Sequence, residues 1–349
     1  MTKIKIVQVG CGKMSKYTMK YAFDKNYEIV GAVDINKDII GQDIGQIMDS
    51  EEKGVVIEPL KNLDNLLKDV KPDICIVTTM SLLNDIKDVV RTIVSNKVNV
   101  ITTCEEAFFA SNSNPSVFNE LDVLARANGV TITGCGYQDI FWGNMVSVIA
   151  SSTHNIKKIK GSSSYNVEDY GIALAKAHGA GLSIFQFEKD VASADDISLE
   201  QRQKLINEGE FLPSYMWNTV GWLADKLNLH ITDINQKCVP KIAEEDIYSE
   251  TLKMNIKKGD ATGMSAVVTA HTKENIVIEA ECIGKVYTKA ECDKNIWTVY
   301  GEPDTTVVVE RPSTVELTCA DVINRLENVI ASKPGFVSTS KLPEPKYVA

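Results

Sequence analysis

Residues 3–15 read KIKIVQVGCGKMS, and this stretch decides the fold. Lys3–Val9 is rich in β-branched residues, as a strand is, and Gly10-Cys11-Gly12 breaks it. Met14–Phe23 then reads as a helix. Strand, glycine turn and helix in that order present free backbone N–H groups and a positive dipole end, where a phosphate can sit. Gly10 makes the tight turn and Gly12 lets the backbone approach a pyrophosphate, while Lys13 and Met14 open the helix. Ser15 replaces the third glycine of the dinucleotide fingerprint and is small enough to keep helix and strand close. Glu28–Val33 is the next strand, closed by Asp34, about twenty residues beyond the turn. A carboxylate there accepts the ribose hydroxyls of NAD and repels a 2′-phosphate, a repulsion that the nearby Lys37 softens. NAD is the expected cofactor, with NADP possible. The competing reading is a plain tight turn with an aspartate capping the next segment.

Outward from this turn the alternation continues. Asp73–Thr78, Val98–Thr102 and Val130–Thr133 are short apolar strands; Asn62–Lys68, Asn84–Ser95 and Pro115–Ala127 are helical. Strands alternating with helices imply right-handed βαβ units, hence an α/β, doubly wound parallel sheet of Rossmann type over residues 1–135. After Gly134 the rhythm changes. Thr262–Thr272 and Asn275–Val286 are long strand-like runs that can pair antiparallel around Lys273-Glu274, with Thr305–Val309 beside them. Leu199–Asn207 and Ser214–Leu227 are helical between. Residues 136–312 therefore form a second, α+β domain on a mixed, largely antiparallel sheet, expected to bind substrate and to dimerise. A helix at Ala320–Ile330 and an extended, proline-containing tail close the chain, and residues 313–349 are assigned back to the first domain.

At 349 residues the chain suits about two domains. Its 37 basic and 47 acidic residues give a net charge of −10, which argues against nucleic acid or an anionic membrane as a partner. No apolar run reaches the roughly 18–20 residues of a membrane span, and the N-terminus lacks a signal peptide. The eight cysteines form no C-x-x-C pair and no zinc spacing. A reduced, cytoplasmic protein without a structural metal is the expectation.

Ligands of open parallel sheets bind beyond the carboxyl ends of the strands. That rule selects Thr78 and Thr79, Thr102 with Cys104-Glu105-Glu106, and Gly134. Of the adjacent acids one faces the ligand, and a carboxylate there can take a proton from a substrate ammonium; the alternative is helix-start acids or solvated charges. Gly134–Trp142 carries glycines and aromatics suited to a small pocket or to core packing under a hinge. Tyr165–Tyr170 mixes aromatic and polar groups as a substrate wall does, or as an ordinary strand end does. Of the scattered histidines His154, His178, His230 and His271, His178 in its glycine-flanked stretch is the best candidate. No nucleophile elbow, P-loop or H-E-x-x-H occurs.

Together, VGCGKMS, TTCEEAFF, GYQDIFWGN and NRLENVIASKPGF resemble the 2,4-diaminopentanoate dehydrogenases, a family that includes native amine dehydrogenases and is distantly related to dihydrodipicolinate reductase. The resemblance covers essentially the whole chain. It implies a two-domain, usually homodimeric oxidoreductase that converts a primary amine to a ketone with NAD(P)+ and releases ammonia. It places the amine-handling glutamate at Glu105, with Glu106 the alternative if the register slips by one, and Trp142 and Tyr170 in the substrate pocket, beside Tyr165 and His178. The paired histidines of dihydrodipicolinate reductase and the Glu-Lys-Pro of the glucose-fructose type sugar dehydrogenases are both missing, since Glu105-Glu106-Ala107 stands at the latter position.

The implied reaction begins with Glu105 taking a proton from the substrate ammonium in a cleft between domains. Hydride then leaves C4 for the nicotinamide, and hydrolysis gives 2-amino-4-oxopentanoate and ammonia, a step of ornithine degradation. Another amine or ketone, such as diaminopimelate or an alkylamine, is the main alternative substrate. A non-catalytic dinucleotide sensor is the remote one.

Overall fold

The computed structural model describes residues 3–349. The chain divides into two compact units, residues 1–144, 207–210 and 313–349 in the first and 145–206 with 211–312 in the second. The first unit thus runs on to Asn144, past the glycine turn at 134 where the sequence rhythm changes.

In the first unit the strands are β1 (Lys5–Val9), β2 (Glu28–Asp34), β3 (Ile57–Pro59), β4 (Ile74–Val77), β5 (Asn99–Thr102) and β6 (Thr131–Gly134). With a two-residue strand at Gly335–Phe336 they form a seven-stranded sheet, ordered 335–336, β6, β5, β4, β1, β2, β3, and every neighbouring pair is parallel. The chain steps outward from β1 to β3, then returns to lay β4 on the other side of β1. That reversal opens a crevice at the carboxyl ends of β1 and β4.

Both faces of this sheet are covered, which is why its strands read as apolar runs. Alternation along β1 sends Val7 and Val9 to one face and Ile6 to the other. Val7, Val9, Cys75 and Val77 pack with Leu66, Ile86, Val90 and Leu121 from the helices Leu63–Val70, Leu83–Ser95 and Pro115–Asn128. On the opposite face Ile6, Ile74, Ile76 and Ile101 pack with Met19 of the helix Lys13–Asp24 and with Val322, Leu326 and Val329 of the helix Thr314–Ile330. This last helix begins six residues before the Ala320 expected from sequence. Its first turn, TVEL, has too little apolar spacing to announce itself.

The second unit carries β7 (Lys158–Asn166), β8 (Ile231–Ile242), β9 (Ile247–Ser249), β10 (Met254–Ile256), β11 (Ala261–Thr272), β12 (Val277–Lys285), β13 (Lys294–Tyr300) and β14 (Thr305–Glu310). Six of them form a sheet ordered β14, β13, β7, β12, β11, β8, in which only β7 and β12 run parallel. The β11–β12 hairpin turns at Lys273-Glu274, as its sequence implies. The helix Tyr215–Lys226 buries Trp217, Val220, Trp222 and Leu223 and contacts β8, β11 and β12. β8 escaped the sequence reading because it is an edge strand, where Pro240 and several exposed polar residues are tolerated. Among the described residues, no helix is long and apolar enough to cross a membrane.

Candidate active site

The glycine turn is built by its neighbours. Gly10 adopts φ +86°, and a Cβ there would lie 2.6 Å from Thr79 Cγ2 and 2.9 Å from the Thr78 carbonyl oxygen, so only glycine fits. Gln8, fully buried on β1, donates from Nε2 to the Gly10 carbonyl and to Thr78 Oγ1, both at 2.9 Å. Thr78 Oγ1 in turn donates to the Gly10 carbonyl at 3.0 Å. At Gly12, by contrast, a Cβ would meet nothing within 4 Å, so the backbone there borders open space.

Gly12 caps the helix Lys13–Asp24, whose first turn has neither a capping side chain nor an acid. Its first N–H groups and positive dipole end are left for an anion. Lys13 is exposed at the first helical position and Met14 is half-buried behind it. Asp34, ending β2, accepts the Cys11 N–H at 2.5 Å and the Asn36 N–H at 2.7 Å. It therefore ties the turn to the second strand while standing beside it. This donor set fits a dinucleotide: N–H groups and a lysine for the pyrophosphate, a carboxylate for a ribose.

The other strand ends lie on the same edge of the parallel sheet. Thr102 is buried, donates from Oγ1 to the Val77 carbonyl at 3.0 Å and accepts the Cys104 N–H at 3.1 Å, so it braces the loop from behind. Gly134 also serves packing. A Cβ there would fall 2.2 Å from the Ala107 carbonyl carbon and 2.3 Å from its oxygen, and β6 can approach the turn Glu106–Phe108 only without one.

The adjacent acids of that loop have different surroundings. Glu106 is 4 % exposed, and its two oxygens accept the Leu83 N–H at 2.7 Å and the Ser113 hydroxyl at 2.9 Å. It caps the helix Leu83–Ser95, whose own N-cap residue, Leu82, has no side chain for the purpose. Glu105 is only part-buried. Burial pushes its carboxyl above the ordinary glutamate value, and a hydrogen bond with the Ser81 side chain pulls the other way. Ser81 was not picked out from sequence, yet its carbonyl also accepts the Cys104 thiol and the Glu106 N–H, both at 3.1 Å. No motif marks it; it is found only by proximity.

Beyond Gly134, Asp139–Asn144 winds as a π-helix, a wide turn frequent at functional sites. It carries Trp142, 8 % exposed, whose indole N–H has no hydrogen-bond partner among the described residues. Tyr137 stacks on Phe141 at 4.5 Å and meets Trp142 edge-on at 5.8 Å. The turn is anchored by a buried pair absent from the sequence reading: Arg325 donates from Nε to Asp139 Oδ2 at 2.8 Å, and both side chains are fully buried.

Cys135 donates its thiol to Asp321, whose carboxyl burial and the nearby Asp139 push well above the usual carboxylate range. Cys135, Asp139 and Asp321 bring their ligand atoms within 4.8 Å of one another, a metal-like spacing. The Arg325 guanidinium already supplies the cation there.

In the second unit, Tyr165, Tyr170 and His178 come together. The Tyr165 hydroxyl donates to His178 Nε2 at 2.7 Å, and His178 Nδ1–H donates to the Leu174 carbonyl at 2.9 Å. The imidazole proton therefore sits on Nδ1. Burial lowers the His178 pKa, keeping the ring neutral, and raises that of the Tyr165 phenol. Tyr170, 58 % exposed, meets Tyr165 edge-on at 5.5 Å.

Residues 141–349 match the family model of the 2,4-diaminopentanoate dehydrogenase C-terminal domain. Residues 4–106 match the N-terminus of dihydrodipicolinate reductase. The chain is 22 % identical over its full length to 2,4-diaminopentanoate dehydrogenase from Acetoanaerobium sticklandii, covering 96 % of that protein. Amine dehydrogenase from Mycobacterium smegmatis is 31 % identical, with a TM-score of 0.82 over 99 % of this chain and 98 % of that one. The myo-inositol 2-dehydrogenase of Lactobacillus plantarum, at 10 % identity and a TM-score of 0.58 over 95 % of this chain and 91 % of that one, shares the fold.

Proposed function

We propose, from the premise that this chain belongs to the 2,4-diaminopentanoate dehydrogenase family and is an NAD(P)-dependent oxidoreductase, that it oxidises the 4-amine of 2,4-diaminopentanoate to 2-amino-4-oxopentanoate and ammonia. The observation that carries the reading is the inequality of the acid pair. Both Glu106 oxygens are engaged by Leu83 and Ser113, whereas Glu105 beside them is part-buried and bonded through the Ser81 side chain; burial raises the pKa of both carboxyls, so their partners distinguish them.

The N–H groups that begin the helix Lys13–Asp24, with Lys13, hold the pyrophosphate, and Asp34 takes the ribose hydroxyls, favouring NAD over NADP. Bound there, the nicotinamide supplies the hydride acceptor. Glu105 takes a proton from the substrate ammonium and leaves an amine whose lone pair assists as the C4–H bond breaks. Once it has passed that proton to solvent, the same carboxylate steadies the cationic iminium until water adds and ammonia leaves. A pKa raised toward neutrality suits that exchange. Trp142 with its unpartnered N–H, and Tyr165, Tyr170 and His178, serve the substrate. The second unit is the substrate-binding and dimerising part of a cytoplasmic homodimer, and residues 313–349 complete the dinucleotide domain.

Absorbance at the reduced-nicotinamide band tests this, with 2,4-diaminopentanoate, ornithine, diaminopimelate and a short alkylamine supplied with NAD+ or NADP+. Selective reduction with 2,4-diaminopentanoate is expected, and no reduction with it discards the substrate. The alkylamine arm is included because amine dehydrogenase is the more similar of the two relatives, at 31 % against 22 %.

A further inference from the structure

Oxidation of an ammonium by NAD+ and water to a ketone, an ammonium ion and NADH leaves one proton over. In the proposed reaction Glu105 takes that proton and must lose it before its carboxylate can steady a cation. Glu105 is part-buried, whereas Ser81, whose side chain hydrogen-bonds to it, is exposed. The Ser81 hydroxyl thus links the carboxyl to water.

The backbone holds Ser81 in that place. It lies in the loop between β4 and the helix Leu83–Ser95, two residues before the helix begins. Its carbonyl accepts the Cys104 thiol and the Glu106 N–H, both at 3.1 Å, so the residues on either side of Glu105 are fastened to one oxygen. The same two loops are laced further by the Thr103 N–H, which donates to the Val77 carbonyl at 3.1 Å, and by the Leu83 N–H, which donates to Glu106 at 2.7 Å. Bonds to both neighbours of Glu105 set the spacing between its side chain and that of Ser81.

The other titratable groups of the loop are occupied. Cys104 is buried, which pushes its thiol up, and it donates its hydrogen to the Ser81 carbonyl. Both Glu106 oxygens accept from Leu83 and Ser113, and burial with the charge of Asp85, in the first turn of the helix, raises its carboxyl. A serine hydroxyl is donor and acceptor at once, so it can gain one proton while giving up another.

We propose that Ser81 is a positioning residue for Glu105 and carries its proton to solvent. The assignment rests on the reading that Glu105 is the base. The Glu105 O–H bond breaks as Ser81 Oγ gains that proton, and the original Ser81 O–H bond breaks as a solvent water gains the other. A carboxylate, an unchanged serine and a hydrated proton result.

Ser81→Ala removes the hydroxyl and keeps the bracing carbonyl, so melting temperature and NAD affinity are expected to hold. The first arm of the test needs no turnover. In NAD-loaded protein with isotope-labelled glutamate, the carboxyl-carbon NMR signal that Glu105→Gln abolishes is expected to titrate at higher pH in Ser81→Ala, because the hydroxyl favours the ionised form. In the second arm, an amine that reduces NAD+ is mixed with the protein and a pH-indicator dye in single turnovers. Proton release is expected to slow at least tenfold in Ser81→Ala, with the acid limb of kcat/KM moved to higher pH, and Ser81→Thr is expected to restore both. A merely structural role would leave the titration and the acid limb in place. An unmoved titration, or proton release as fast in Ser81→Ala as in the unaltered enzyme, overturns the relay. Failure of the functional reading looks different: Glu105→Gln turns over at the unaltered rate, or 2,4-diaminopentanoate is not oxidised, while the Glu105 signal still titrates higher in Ser81→Ala.

Discussion

The Glu106 carboxylate accepts the backbone N–H of Leu83 at 2.7 Å, across twenty-three positions of sequence, and so belongs to the start of a helix. Its neighbour Glu105 is engaged differently, through the Ser81 side chain. Substitutions should separate the two. Glu106→Ala leaves a buried N–H and a buried hydroxyl without their acceptor and is expected to destabilise the protein by about 2–3 kcal/mol. Glu105→Gln is expected to keep the melting temperature and NAD affinity and to lower kcat by about 10²–10⁴-fold. Thermal melts and steady-state rates on both variants check this. Near wild-type turnover in Glu105→Gln would remove it from the mechanism.

The pH dependence follows from the direction of the Glu105 shift. Burial raises its pKa, so the proton is held to higher pH in the folded protein than in an unfolded chain. A base must be ionised, and kcat/KM is therefore expected to fall as pH drops through a value above the ordinary glutamate pKa of about 4.3. The stability contribution has the matching sign: it is present below the unfolded pKa and is lost as pH rises through the folded one. A pH–rate profile with its acid limb at the ordinary glutamate value would contradict the assignment.

Asp34 should govern cofactor choice. Replacing it with serine removes the charge that repels a 2′-phosphate and weakens the hold on the Cys11 N–H. The ratio of kcat/KM with NADP+ to that with NAD+ is expected to rise at least tenfold, at a stability cost of about 1 kcal/mol. Parallel titrations with both cofactors decide it.

Arg325→Met would strand Asp139 as an uncompensated charge in a fully buried position. Removal of one partner of such a pair typically costs about 3–5 kcal/mol. Chemical denaturation should show a loss of that size. Because Asp139 begins the π-turn that carries Trp142, near-UV circular dichroism of the folded fraction should change as well.

Much of the first unit was legible because its signals are local or repetitive. The turn at Gly10 is stated directly by Gly10-Cys11-Gly12 and tied to Asp34 at the end of the next strand, although the atoms that exclude a side chain there belong to Thr78 and Thr79 beyond β4. β4, β5 and β6 read as apolar runs because both faces of their sheet are covered. β3 and the strand at Gly335–Phe336 are three and two residues long, too short for periodicity to register, and exist only through pairing with β2 and β6.

The candidate site divides along the same line. By itself the sequence determined that the chain has a nucleotide-type turn, an acid at the end of the second strand and an acid pair beyond the fifth, because residue type and short spacing carry those features. Tertiary structure alone decided which acid is engaged by Leu83 and Ser113, that Gly134 and Thr102 support the loop, and that Asp139 meets Arg325 across 186 positions. Adjacent glutamates are chemically identical until distant backbone and side-chain groups surround them. Burial and hydrogen bonding, which set their pKa values and their roles, are properties of the packed chain.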